Sequence, residues 1–321
     1  MTSAKPEVLI TKNFPAHVVA ALQEIATVHQ WTSDDTAYLM PRDEVMKVIS
    51  RMSAVINQAE LRVDQELLEH APNLKIVANV SIGTDNLDRN ALRAHRVWAS
   101  NTPSHFAYPV AEFTIAGILS VARRLPEADA FVRSGQWNSF QPGRWDGDSL
   151  YGKTLGIVGM GDIGFLTGQI ASALGMKIIY HSRKRIVPMF KRVDLGELLA
   201  VSDVISLHVP YHEQTHELIG AAEIARMKRG ALLANTARGR VVNEEALITA
   251  LLKGHLGGAV LDVFYREPAV PEALKSLNNV LLTPHIAGGT RQARIRAYEN
   301  AVANVVEVLQ GRRPLNPVIQ L

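Results

Sequence analysis

Residues 153–164 read KTLGIVGMGDIG. Lys153 and Thr154 lead into the apolar run Leu155 to Val158, and glycines follow at 159, 161 and 164. Helix-favouring residues then run from Phe165 to Leu174, with Gly175 placed to stop them. The order is strand, tight turn, helix. In such a turn the first glycine permits a sharp reversal, the second lets a pyrophosphate approach the main chain, and the third lets helix and strand pack closely. Free N–H groups at the helix start, near Asp162, then face the phosphates with the helix dipole behind them. Gly159, Met160, Gly161, Asp162, Ile163 and Gly164 are therefore the expected phosphate-binding residues, and the strand before them and helix after them make the motif specific.

Working outward, residues 153–286 alternate apolar strands with helical segments. Strands are expected at 155–160, 177–181, 204–209, 231–236, 258–264 and 280–284, six in all, the count of a full dinucleotide-binding domain. A helix over 244–252 follows Asn243, and Thr290 is placed to cap a long helix reaching about Leu309. Residues 7–100 alternate in the same way, with strands at 7–11, 54–58, 75–80 and 97–100 and helices at 16–25, 42–51, 65–70 and 88–94. Such alternation implies α/β architecture, two doubly wound parallel sheets covered on both faces. A helix is expected over 110–124 and a loop over 134–150, with a domain crossing near Ser104.

Bulk composition narrows the function classes. The 321 residues suffice for about two domains, and 47% hydrophobic with 20% charged residues is ordinary for a globular enzyme. A net charge of +3, with the basic residues dispersed, gives no footprint for nucleic acid. The absence of cysteine excludes disulfides, thiolate metal sites and a cysteine nucleophile. The start MTSAKPEVLI carries Lys5 and Glu7 and no signal-peptide core, and the apolar run 113–122 is too short to span a bilayer. A cytoplasmic protein with no membrane partner is the expectation.

The second strand of such a domain usually ends in an acidic residue that bonds the ribose 2′-hydroxyl. Here it ends IIYHSRKR, so His181 or Ser182 holds that position and Arg183, Lys184 and Arg185 follow. A carboxylate would repel a 2′-phosphate, whereas a hydroxyl and a guanidinium would bind it. Ser182, Arg183 and Lys184 are the expected ligands, with NADPH favoured over NADH.

Three later motifs present polar residues at strand ends: NTARG at 235–239, DVFYREP at 262–268 and TPHIAGG at 283–289. In this order behind GMGDIG, and with NVSIGTDNLD at 79–88, they resemble the D-2-hydroxyacid dehydrogenase family, in particular its glyoxylate/hydroxypyruvate reductase branch, which includes 2-ketogluconate reductases. The resemblance covers essentially the whole chain. It implies a flavodoxin-like substrate domain from 1–103 and 287–321, a Rossmann domain from 104–286, and a homodimer. It also implies hydride transfer to a small 2-keto acid, with His285 as proton donor, Glu267 as its partner and Arg238 as anchor of the substrate carboxylate. By the same resemblance, main-chain N–H groups of Ser81, Ile82 and Gly83 hold that carboxylate and Asp262 holds the nicotinamide carboxamide. Val209, Pro210, Thr215, Ala237 and Gly288 line the cofactor cleft.

The chain departs from the family pattern at Ala107, where many relatives carry threonine, and in the bulky His105, Phe106 and Tyr108. Trp137 and Phe140 resemble an arm that reaches a neighbouring subunit in the reductase branch. Rival readings are phosphite dehydrogenase, which uses a similar Arg–Glu–His set, and a dinucleotide-sensing corepressor. Formate dehydrogenase is disfavoured by Glu267. His208, His212 and His216 have helical spacing, but Pro210 argues against a helix there and against a metal site.

Overall fold

The computed structural model describes residues 5–33 and 38–321. The chain divides into two compact units, Met1–Phe106 with Gly289–Leu321, and Ala107–Gly288.

The first unit holds β1 (Glu7–Ile10), α1 (Ala16–Ile25), β2 (Thr27–Gln30), α2 (Arg42–Val48), β3 (Met52–Asn57), α3 (Gln65–Glu69), β4 (Ile76–Asn79), α4 (Arg89–Ala94) and β5 (Trp98–Ser100). All strands are parallel, in the order β2-β1-β3-β4-β5. That is the flavodoxin-like winding, whose strand order reverses between β1 and β3. The sequence pattern predicts four strands; the fifth, β2, reads TVHQ and pairs only with β1. An edge strand is covered incompletely, so it lacks the apolar run that marks a central one. By contrast every residue of β4 is buried, and its reading IVAN shows it. Short helices are fixed by side-chain caps: Asp64 accepts from Leu67 N, and Asp88 from Asn90 N and Ala91 N.

The second unit begins with α5 (Ala107–Ala122) and α6 (Leu125–Arg133), then runs β6 (Thr154–Val158), α7 (Asp162–Ala173), β7 (Lys177–His181), β8 (Lys191–Arg192), α8 (Leu195–Val201), β9 (Val204–Leu207), α9 (Ala221–Arg226), β10 (Leu232–Asn235), α10 (Glu244–Leu252), β11 (Gly258–Leu261), α11 (Glu272–Lys275) and β12 (Val280–Leu282). The parallel order is β12-β11-β10-β9-β6-β7-β8, a Rossmann sheet reversing between β6 and β9. It has seven strands rather than six. The extra one, β8, is two exposed charged residues on the edge and carries no hydrophobic signal. The helical run expected over 110–124 is α5, which stops before Arg124 turns left-handed (φ 55°); a further helix, α6, follows with Pro126 in its first turn.

The last helix, α12 (Arg291–Leu309), is capped by Thr290, whose hydroxyl accepts from Ala293 N. It packs on α1, β3, β4 and β5 of the first unit, with Tyr298 stacked on Phe14 at 3.9 Å. Tyr298, Ala301, Val302, Val305 and Val308 are buried along its inner face. No helix among the described residues is long and apolar enough to cross a membrane.

Candidate active site

The glycine turn lies at the carboxyl end of β6, beside the strand-order reversal, where open α/β sheets bind ligands. Gly159 has φ 100°, and a Cβ there would come within 2.6 Å of the His208 carbonyl oxygen. A Cβ on Gly164 would meet the Gly159 carbonyl at 2.2 Å. The turn is thus closed by contacts only glycine permits. At Gly161, the residue capping α7, a Cβ would meet nothing within 4 Å, so its main chain is open to a ligand. The Met160 side chain is buried in the core, so only its main chain is available to a cofactor.

Gly159 N donates to His181 O (2.9 Å), which sets the end of β7 beside the turn. Arg183, Lys184 and Arg185 follow it and are exposed, and Ser182 is partly so. Arg183 donates to His212 Nε2 (2.9 Å) and to Gln214 Oε1. Arg185 pairs with Asp162 (2.8 Å), neutralising the one carboxylate in the first turn of α7. Arg192, on the unforeseen β8, donates to the Ser182 carbonyl at 2.6 Å and to that of Arg183 at 3.2 Å. These bonds shape an electropositive loop with no acid at the end of β7, so a phosphorylated ribose fits it.

Arg238, Glu267 and His285 come from the loops after β10, β11 and β12. Gly239 brings the first two loops together, since a Cβ there would sit 1.9 Å from the Phe264 carbonyl oxygen. His285 Nδ1 contacts Glu267 Oε2 at 2.8 Å, and Phe264 N donates to Glu267 Oε1 at 3.1 Å. Burial pushes the Glu267 carboxyl up, but the His285 hydrogen bond and charge, the Phe264 N–H and the Arg238 charge outweigh it and hold it below its ordinary value. The Arg238 guanidinium donates to the Ala237 carbonyl (2.7 Å) and is half-buried. With Nδ1 turned to a carboxylate, His285 leaves Nε2 for another partner.

Asp262 has no solvent exposure. Its carboxylate accepts from Thr283 Oγ1 (2.6 Å), Ile286 N (2.8 Å) and Ala287 N (2.8 Å), and its carbonyl accepts from His285 N (2.9 Å). It therefore holds the loop carrying His285, whose own backbone is left-handed at φ 56°. A carboxylate accepts about four hydrogen bonds, so these three donors leave it capacity for one more. The buried Thr215 hydroxyl has two carbonyl acceptors within reach of its one proton, Pro210 O (2.8 Å) and His212 O (3.0 Å), and accepts from His212 N (2.9 Å), shaping the loop after β9. Ala237 and Gly288 lie partly exposed in the Arg238 and His285 loops.

In the first unit, the loop after β4 turns its carbonyls inward. Ser81 O accepts from Thr102 N (2.8 Å), Ile82 O from Asn101 Nδ2 (2.8 Å), and Gly83 O from Ser81 Oγ (2.7 Å). The N–H groups of Ser81, Ile82 and Gly83 donate to no protein acceptor among the described residues. Successive free N–H groups of this kind suit a carboxylate. Asn101 and Thr102, which hold the Ile82 and Ser81 carbonyls, carry no signal in the sequence, since each is a common loop residue.

Other features lead away from this chemistry. His208 turns to Ser206 Oγ (2.8 Å) while His212 meets Arg183, and no three His, Asp or Glu side chains among the described residues are placed to hold a metal. A cavity of about 190 Å³ lined by Lys153, Asp203 and Lys228 lies at the amino-terminal ends of β6, β9 and β10, opposite the glycine turn. Trp137 and Phe140 are 58% and 85% exposed.

Residues 115–287 match a model of the family described as D-isomer specific 2-hydroxyacid dehydrogenase, NAD binding domain. The glyoxylate reductase of Thermococcus litoralis is 40% identical over 98% of this chain and 97% of its own. A crystal structure of a Thermus thermophilus protein, 39% identical, superposes with a TM-score of 0.91 over 98% of this chain and all of that one. The NADPH-dependent glyoxylate/hydroxypyruvate reductase of Sinorhizobium meliloti, solved with NADP and malonate, is 30% identical with a TM-score of 0.84 over 98% and 97% of the two chains. With its Rossmann sheet and glycine turn, the chain belongs to the D-isomer specific 2-hydroxyacid dehydrogenase family and is an oxidoreductase.

Proposed function

We propose that the protein reduces a small 2-keto acid, glyoxylate or hydroxypyruvate, to the D-2-hydroxy acid, using NADPH in preference to NADH. The observation that carries this is the His285–Glu267 contact at 2.8 Å, on loops shared with Arg238. The names of the relatives support the substrate class.

The nicotinamide, when bound, supplies the hydride that adds to the 2-carbon. His285 Nε2 gives its proton to the carbonyl oxygen as that carbon is reduced. Glu267, bonded to Nδ1 at 2.8 Å, fixes the orientation of the ring, so that Nε2 faces the substrate. Arg238 draws the keto oxygen and offsets its developing negative charge. The N–H groups of Ser81, Ile82 and Gly83 take the substrate carboxylate. Asp262 and Thr215 act by positioning loops.

The main-chain N–H groups at the start of α7 take the pyrophosphate, and Arg183 with Ser182 and Lys184 takes the 2′-phosphate, steadied by Arg192. Val209, Pro210, Ala237 and Gly288 complete the cofactor lining. A cytoplasmic homodimer belongs to the same reading; exposed Trp137 and Phe140 support association. The deciding assay is a panel of 2-keto acids plus phosphite, each with both coenzymes. Turnover of glyoxylate or hydroxypyruvate, faster with NADPH, is expected; turnover of phosphite alone, or none with any compound, refutes the reading.

A further inference from the structure

Among the described residues, few buried side-chain polar atoms lack a partner, and both amide atoms of Gln58 are in that set. Neither Nε2 nor Oε1 has appreciable solvent exposure. A buried amide without hydrogen bonds is costly, and it persists where something outside the free protein completes it. Gln58 is the first residue beyond β3, at the carboxyl end of the first unit's sheet and beside the point where strand order reverses.

The segment around it is tightly held. Asn57 Oδ1 accepts from Ala59 N (2.7 Å), and Ala59 is left-handed at φ 73°. Glu60 Oε2 accepts from Gln58 N (2.5 Å), while Glu60 Oε1 accepts from the Thr11 hydroxyl (2.5 Å). Backbone strain at a non-glycine residue, here Ala59 beside Gln58, persists where the surroundings overdetermine it, and such residues cluster at functional sites. Val80 N donates to Asn57 O (2.7 Å), so the Gln58 turn is neighbour to the 81–83 loop across one strand spacing, about 4.8 Å.

We propose that Gln58 is the specificity-determining residue for the substrate's side chain, pairing its amide with a hydroxyl on C3 or beyond. The amide offers one donor group and one acceptor, and a hydroxyl or vicinal diol presents the same pair in reverse. Glyoxylate has no side chain to reach it, and the methyl of pyruvate leaves it unpaired. The preferred substrates are hydroxylated 2-keto acids: hydroxypyruvate, and longer polyhydroxy chains. This inference rests on the 2-keto acid reduction proposed above.

The test compares kcat/KM for glyoxylate, pyruvate and hydroxypyruvate in the wild type and in Gln58→Leu, with thermal unfolding of both unliganded proteins. The wild type is expected to favour hydroxypyruvate over pyruvate by about 10-fold or more, with that ratio falling towards one in the variant. Glyoxylate turnover persists in the variant and reports that it folds. The variant's Tm is at least that of the wild type, because an unpaired polar group is replaced by an apolar one of similar size. An unchanged ratio with glyoxylate turnover intact overturns the role of Gln58. No turnover of either glyoxylate or hydroxypyruvate in the wild type overturns the underlying function, and this inference with it.

Discussion

Glu267 shows how a single residue ties stability to catalysis. Its folded-state pKa is depressed, so the stabilisation from ionising it is present above its ordinary value of 4.5 and is lost as pH falls through the lower folded value. The Tm gap between wild type and Glu267→Gln is therefore expected to be open at neutral pH and to narrow below 4.5, measured by thermal melts across pH. The same substitution lowers kcat by roughly 10- to 100-fold or more by removing the partner of His285. Asp262 holds Thr283, Ile286 and Ala287 together. Asp262→Ala leaves Ile286 N and Ala287 N unpaired, at about 1–3 kcal/mol each, and loosens the loop carrying His285. Both Tm and kcat should fall; loss of kcat without loss of stability would contradict the positioning role.

At the scale of elements, the glycine turn separates folding from binding. Gly164→Val sets side-chain atoms against the Gly159 carbonyl, already 2.2 Å from a Cβ, and is expected to destabilise by about 2 kcal/mol or more. Gly161→Ala meets nothing within 4 Å, so its stability should stay within about 0.5 kcal/mol of wild type while dinucleotide affinity drops. Denaturation and coenzyme titration of the two variants distinguish the roles. In the loop after β7, Arg183→Ala should weaken NADPH by roughly 10- to 100-fold, the loss expected for a charge-assisted hydrogen bond, and leave NADH nearly unchanged. Equal weakening of both coenzymes would place the 2′-phosphate elsewhere.

At the scale of the whole molecule, the second unit is one uninterrupted segment, whereas the first is assembled from both ends of the chain. Residues 107–288 alone should therefore fold with a cooperative melt. A chain ending at 288 loses α12 and exposes the faces of α1, β3 and β4 that Tyr298, Val302 and Val305 cover. Its first unit should lose protection in hydrogen exchange while the second retains it.

Much of this was legible in the sequence, for local reasons. Buried parallel strands must be apolar throughout, so β4, β6 and β11 announce themselves, and a turn that presses main chain on main chain at Gly159 and Gly164 admits only glycine. The motifs at Arg238, Glu267 and His285 were visible as polar residues at strand ends. Edge strands β2 and β8 were not, because a half-solvated strand has no obligatory pattern. Nor were the partnerships that join residues distant in sequence: Arg192 with the Ser182 carbonyl, Asp262 with the His285 loop, and the inward-turned carbonyls after β4. The alternating elements and the glycine turn follow from near neighbours along the chain, and so the amino-acid order alone was enough to place them. The donors that converge on Asp262, the carbonyls that Arg192 reaches and the amide left without a partner at Gln58 came from the folded chain alone, because hydrogen bonding between separate loops depends on distance in space and leaves no periodicity in the chain.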